Sequence, residues 1–278
     1  MPDLSGQRAV VTGASSGIGL EMATLLASWG CRLVLVARRR KRLDALAESL
    51  QAAHQVEVEV VAADLSVPGA AAALVADVYE NGSVDILINN AGYGDFCRVL
   101  DREWADTQRM IQLNIVTLSE LTILVARRMV EAGRPAHVLN VGSVVGFFPP
   151  PFFATYAGTK AYVANFSLAL AAELKRTNVS VTCLSPGPVA TEFADVASME
   201  APGIASALMM SPARCARAGL RAMLRGKRHC VPGVFNKLTL LFNRLVPRRT
   251  VGAIMVAPLP EPAPASTGSA RTPDQAQP

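Results

Sequence analysis

The sequence predicts an α/β fold: a single domain built on a doubly wound, mainly parallel sheet with helices on both faces. Short β-branched runs alternate with longer helical patterns from the start to about residue 185, the rhythm of a sheet whose crossovers are helices. Most of the runs are apolar without interruption, as strands covered on both sides must be. A Gly-rich turn joins the first run to the first helix, where a sheet of this kind binds its ligands.

The elements follow in order. Strands are expected at 8–13 (RAVVTG), 32–37 (RLVLVA), 56–62 (VEVEVVA), 84–90 (VDILINN), 137–143 (HVLNVGS) and 179–185 (VSVTCLS), with a last one in RHCVPG, 228–233. VEVEV alternates polar and apolar residues, so it belongs toward a sheet edge. Helices are expected at 18–30, 41–54 and along the stretch 103–131, with a short one at 212–225. The stretch 235–246 is amphipathic, with Phe235, Leu238, Leu241, Phe242 and Leu245 on one face and Pro247 to end it. In order of preference, that face covers the protein's own surface, joins a subunit or lies on a membrane; peripheral membrane contact is not favoured. The expected domain is 1–256, with 188–225 as a flexible substrate-loop region and 234–256 as a C-terminal amphipathic extension. Residues 257–278 are rich in Pro, Ala and Ser and too poor in apolar side chains to offset their ordering entropy, so a disordered tail is expected.

Composition narrows the function classes. Of 278 residues, 51% are hydrophobic and 18% charged, enough for a sizeable core. No apolar run approaches the roughly 20 residues of a membrane span, and MPDLSGQRAVVTG lacks the apolar segment of a secretory signal. A cytoplasmic protein is the expectation. The cysteines (Cys31, Cys97, Cys183, Cys215, Cys230) are scattered, and the histidines (His54, His137, His229) have no paired-ligand spacing. Disulfide frameworks and metal sites are therefore not expected. The formal charge of +5 is concentrated in RRRKR (38–42) and in 237–249. With no nucleic-acid module beside it, a phosphorylated cofactor suits this charge better than nucleic acid.

VVTGASSGIGLEMA spaces Gly13, Gly17 and Gly19 as G-x-x-x-G-x-G between a strand and a helix. Glycines allow a tight turn that the pyrophosphate of a dinucleotide can approach, and the helix N-terminus favours that anion. At the end of the second strand, folds that hold NAD commonly place an acid for the ribose 2′-OH. Here the sequence is VLVARRRK: Ala37 takes that position, followed by Arg38 and Arg39. A guanidinium pairs with a 2′-phosphate, so NADP(H) is expected over NAD(H), with Arg38 as first contact and Arg39 as second. Arg40 to Arg42 are read as the solvated start of a helix.

Tyr156 and Lys160 stand four apart, on one face of a helix, with small residues between them. A free phenol titrates near ~10, a poor match to neutral-pH proton transfer, and a neighbouring ammonium lowers that value. Alone the spacing is common. Together TGASSGIG, Asp64, NNAG (89–92), Asn114, Ser143, YAGTK and SPGPVATEF resemble the short-chain dehydrogenase/reductase family, in its order and spacings over roughly residues 5–232.

That resemblance implies a Rossmann-type fold and assigns roles. Tyr156 would be the general acid in reduction and the base in oxidation. Lys160 would bind the nicotinamide ribose and lower the tyrosine pKa, Ser143 would hydrogen-bond the substrate oxygen, and Asn114 would hold a water that links Lys160 to solvent. Gly13, Ser15, Ser16, Gly17, Ile18 and Gly19 would form the pyrophosphate turn. Asp64 and Leu65 would meet the adenine, and Asn90, Ala91 and Gly92 the adenosine-ribose side. Pro186, Gly187, Val189 and Thr191 would lie along the carboxamide. Taken singly, Asn114 would serve as a helix-bending residue, Ser143 as a strand-end cap and Asp64 as a turn former.

The segments expected beyond the strand ends, 93–97, 146–153 and 188–210, are apolar: Phe96, Phe147, Phe148, Phe152, Phe153, Phe193, Met199, Leu208, Met209 and Met210. The expected function is an NADP(H)-dependent interconversion of a carbonyl and a secondary alcohol on a lipophilic small molecule. The alternative place for those residues is under loops or at a subunit contact, and the alternative function is a silent NADP(H)-binding scaffold or sensor. A homodimer or homotetramer is implied by the resemblance.

Overall fold

The computed structural model describes residues 2–148, 150–192 and 209–245. Seven strands form one sheet in the order β3-β2-β1-β4-β5-β6-β7, every pairing parallel. They are β1 (Arg8–Thr12), β2 (Arg32–Ala37), β3 (Val58–Ala62), β4 (Ile86–Asn89), β5 (Ala136–Val141), β6 (Val179–Leu184) and β7 (His229–Cys230). The strand order reverses between β1 and β4, and a ligand crevice opens at such a switch point, beyond the carboxyl ends.

The uninterrupted apolar strands are explained by two cores. Ala9, Val11, Leu33 and Leu35 face one side and pack with helices α1 (Gly17–Ser28) and α2 (Arg40–His54) and with a helix later in the chain, Pro212–Leu224. Val10, Val34, Val36 and Leu87 face the other and pack with α3 (Ala70–Glu80) and with Leu121, Val125 and Met129. Each fully buried Leu, Ile or Met contributes roughly 1.5–3 kcal/mol. β3 closes one edge, with Val58 to Val61 half-buried and Ala62 exposed, as the polar residues of VEVEV predict for an edge.

The stretch 103–131 is divided. α4 (Trp104–Ile111) and α5 (Leu118–Ala132) are joined by a π-helical segment, Gln112–Thr117. The whole, Trp104–Ala132, has the length and apolarity of a membrane span, contrary to the sequence reading that no run approaches one. It lies along the sheet instead, with Leu118, Leu121, Val125 and Met129 buried. α6 (Ala154–Glu173), α7 (Pro212–Leu224) and α8 (Val234–Leu245) follow among the described residues.

Two expectations are corrected. Residues 212–224 do not belong to a flexible loop: Ser211 caps α7 by accepting from the Arg214 backbone, and Cys215, Ala216, Leu220 and Met223 are fully buried. α8 does form, but its apolar face does not cover the protein's own surface. Phe235, Leu238, Leu241 and Phe242 point outward, and the helix docks through Asn236, Leu240 and Asn243. Phe193, Met199 and Leu208, the side chains of Arg244 and Leu245, Pro247, Arg248, Arg249, the rest of the extension to 256 and the tail 257–278 lie outside the described residues.

Candidate active site

The turn after β1 is compact because Gly13 and Gly17 take positive φ, +66° and +56°, and because Gly19 has no side chain. A Cβ on Gly19 would come within 2.3 Å of the Gly13 carbonyl oxygen, and one on Gly17 within 3.1 Å of the Thr191 methyl. The turn is braced from β4. Asn90 Nδ2 donates to the Thr12 and Gly13 carbonyls at 3.0 and 3.2 Å, and the Asn90 and Ala91 backbone N–H groups both donate to Thr12 Oγ1 at 3.0 Å. A cradle that any Cβ would fill, opening onto a helix N-terminus, fits a dinucleotide pyrophosphate.

Arg39 reaches this turn. Its Nη2 donates to Ser15 Oγ at 3.2 Å and to Ser16 Oγ at 3.1 Å. It also pairs with Glu192 at 3.0 Å, and Arg42 pairs with the other oxygen of Glu192 at 2.6 Å. Burial raises the Glu192 pKa, but the two guanidinium hydrogen bonds outweigh it and hold the carboxyl below its usual range. Arg42 is exposed at the start of α2, as expected, and also reaches Glu192 beside the cradle. Arg38, expected as first contact, is exposed. It acts with Arg109 and two hydrogen bonds from Ser66 to outweigh the burial that raises Asp64, so that carboxyl lies below its usual range. Asp64 is thus a turn former as well as an adenine-side candidate. Leu65 is buried, and its carbonyl accepts from Thr117 Oγ1 at 2.7 Å.

The residues expected to handle the proton converge at the ends of β4 and β5. Ser143 follows β5, and its Oγ accepts from the Val145 N–H at 3.3 Å and hydrogen-bonds the Tyr156 side chain. It caps its turn and meets Tyr156 at once. Lys160 is 4% exposed, donates from Nζ to the Val141 carbonyl at 2.9 Å and stands 5.7 Å from the Tyr156 ring centroid. Gly92 permits this approach, since a Cβ there would lie 2.9 Å from Asn114 Oδ1 and 3.4 Å from Lys160 Nζ. Asn114 sits in the π-helical segment, a feature that often marks functional positions. Its Nδ2 donates to the Tyr93 carbonyl and to Thr159 Oγ1, and its Oδ1 accepts the Tyr93 N–H. Both amide hydrogens are taken, so this side chain positions Tyr93 and α6.

The Tyr156 pKa, expected to be lowered by Lys160, is raised. Burial pushes the phenol up to about 12 against the pull of the Ser143 hydrogen bond. Burial also drives the Lys160 ammonium down to about 8, with Cys183 nearby acting to raise it. Each charged form has lost its water, and in both groups that loss is the largest cause.

Above Tyr156 stands an aromatic wall. Phe96 meets Phe152 edge-on at 5.4 Å and Phe153 at 5.2 Å, and Phe153 lies 6.1 Å from Tyr156. Phe152 holds φ at +64°, rare for a bulky residue, while its carbonyl accepts the Cys97 N–H at 3.0 Å. The proline-rich loop therefore divides its phenylalanines: Phe147 packs on His229, and Phe148 is buried with Val144 on the α8 side, away from this wall. At the end of β6, buried Pro186 accepts the Val144 N–H, and Gly187 lies against Asn236 of α8. Val189 bridges to Met210, and Ile18 packs on the core below.

Residues 7–201 match the family model for short chain dehydrogenases. The chain belongs to that family. An uncharacterized oxidoreductase of Staphylococcus epidermidis is 35% identical over 209 residues, covering 72% of this chain and 88% of the relative. Among solved structures, a short-chain dehydrogenase from Sphingobium yanoikuyae in complex with NADPH has a TM-score of 0.77 at 32% identity, covering 92% of this chain and 98% of the other. A 7β-hydroxysteroid dehydrogenase has 0.82 at 25%, covering 91% and 98%. A Burkholderia phymatum short chain dehydrogenase/reductase in complex with NAD has 0.77 at 25%, covering 87% and 94%. A short chain dehydrogenase is an oxidoreductase with a nicotinamide cofactor, and the cradle described above suits one.

Within this short chain dehydrogenase a buried polar ladder had no place in the sequence reading. Asn89 Nδ2 donates to Thr122 Oγ1 and to Asn140 Oδ1, both at 2.9 Å, and Asn140 Nδ2 donates to Ser167 Oγ at 3.0 Å. It ties β4, β5 and α5 to α6, the helix that carries Tyr156 and Lys160. The signal was two asparagines inside apolar strands, since buried amides seek partners, although Asn89 Oδ1 itself accepts no hydrogen bond among the described residues.

Proposed function

We propose that this protein is an NADP(H)-dependent oxidoreductase that interconverts a carbonyl and a secondary alcohol on a lipophilic substrate, with Tyr156 as general acid and base. The observation that carries the reading is a buried phenol, hydrogen-bonded to Ser143, at the foot of the wall formed by Phe96, Phe152 and Phe153. When bound, the nicotinamide supplies the hydride. Ser143 and Tyr156 both reach the oxygen of a carbonyl placed against that wall, and Tyr156 gives it a proton as hydride adds to the carbon. With a pKa of about 12, the phenol holds that proton at neutral pH. In the opposite direction Tyr156 takes the proton of the alcohol. The wall excludes water and gives an apolar substrate its contact area.

The preference for NADP(H) over NAD(H) is supported by Arg39 and Arg42 beside the cradle and by the absence of an acid at Ala37. Apolar side chains exposed on α5 and α6, Ile123 and Tyr162 among them, support a homodimer or homotetramer, and we take the protein as cytoplasmic. The test is turnover of apolar ketones and small polar aldehydes with NADPH and with NADH, alongside Tyr156→Phe. Wild type is expected to favour apolar ketones and NADPH. Tyr156→Phe is expected to lose at least about 100-fold in kcat while binding NADPH within about 2-fold. Wild type as inert as the variant would establish the scaffold reading instead, and preference for small polar aldehydes would remove the lipophilic one.

A further inference from the structure

α8 is inverted relative to an ordinary surface helix, which turns its apolar stripe to the domain. Here polar side chains turn inward. Asn243 Nδ2 donates to the Phe147 carbonyl and Asn236 Nδ2 to the Pro232 carbonyl, both at 2.7 Å. Among the described residues of the helix, Leu240 alone of the large apolar side chains joins a core cluster. Val234, Phe235, Leu238, Leu241 and Phe242 are 55 to 72% exposed and fall on one continuous face. Such a face calls for a cover from outside the domain.

Size and charge choose the cover. A 12-residue helix is about 18 Å long, so two such stripes, each about 10 Å wide, would bury roughly 400 Å² together. That is about a third of what a stable protein–protein interface needs. The sequence 234–249 contains Lys237, Arg244, Arg248 and Arg249 and no acidic residue. Two copies of this segment repel, whereas anionic headgroups attract it. We propose that α8 docks on a membrane surface containing anionic phospholipid, with the Phe235–Leu238–Leu241–Phe242 face in the headgroup–acyl boundary and the exposed Lys237 among the headgroups. The docking does not rest on the redox reading.

The experiment is flotation of the full chain with vesicles of phosphatidylcholine alone or mixed with phosphatidylglycerol, at low and high salt. Binding to the mixed vesicles is expected to exceed that to phosphatidylcholine by at least about 10-fold, to fall at high salt, and to be lost in the double variant Phe235→Ser/Phe242→Ser. Lys237→Glu should weaken it without touching the apolar face. NADPH titration of each variant reports the integrity of the fold, since none of these residues touches the cofactor cradle. Absence of binding at low salt, or equal binding by the double variant, overturns the proposal. So does a dimer in light scattering that the double variant dissolves while vesicles bind neither protein, because a second copy then covers the face.

Discussion

Lys160 is held in the folded protein at a cost that its substitution should reveal. Its pKa falls from 10.5 to about 8 because burial strips water from the ammonium. The folded value lies below the unfolded one. Between pH 8 and 10.5 the unfolded chain therefore keeps a proton that the folded chain gives up, and stability rises with pH across that window. At pH 7 the full difference applies, about 3 kcal/mol against the fold; by about pH 9.5 roughly half of it remains. Lys160→Met removes this penalty but strips the Val141 carbonyl of its donor, a loss of about 1.5 kcal/mol. The variant should then be more stable by about 1.5 kcal/mol at pH 7, on the order of 4 °C in Tm, and equal to wild type near pH 9.5. Its turnover should be lost at both. Urea unfolding of the two proteins at the two pH values gives the answer. A variant that melts below wild type at pH 7, or a gap that does not close between pH 7 and about 9.5, would refute the reasoning.

Other expectations rest on separate contacts. Arg39→Ala should weaken NADPH binding about 30-fold and leave NADH within about 3-fold, as read by nucleotide fluorescence, since a charge-assisted contact of about 2 kcal/mol is removed for only one of them. Glu192→Gln should tighten NADPH by about 3-fold, because Glu192 competes with the phosphate for Arg39 and Arg42; equal affinities in wild type and variant would show no competition. Asn140→Leu leaves Asn89 and Ser167 without their shared partner and should cost about 3 kcal/mol in urea unfolding. Reduction at saturating NADPH should decline as pH rises through about 8, where the Lys160 ammonium that offsets a phenolate is lost; a profile flat to pH 10 would remove Lys160 charge from the mechanism.

The sheet was legible because its strands are short, apolar and separated by helices. Even the edge position of β3 could be read from the polar residues in VEVEV. The cradle was legible because glycines spaced between a strand and a helix shape a turn that side chains would close. Less legible was anything decided by which way a side chain turns. Arg38 and Arg39 are adjacent and chemically alike, yet only Arg39 reaches Ser15 and Ser16. The phenylalanines of 147–153 separate to opposite sides of one loop, and composition cannot show that. For α8 the pattern located the helix correctly and ranked the wrong cover first, because amphipathicity states that one face wants cover without stating whose.

The same limit explains why the Tyr156–Lys160 pair behaved unlike its motif. Spacing of four shows that two side chains share a face, and from that alone the ammonium should favour the phenolate. The structure adds that both groups are nearly closed to water and that Nζ is turned to the Val141 carbonyl. Desolvation then acts on each charge before either acts on the other, leaving a phenol that keeps its proton and an amine that yields one within about a pH unit of neutrality. On the proposed reading, a site in that condition is set to donate from Tyr156. If Tyr156 handles the proton as proposed, what shifts the site toward acceptance is a change that brings charge or water to Lys160.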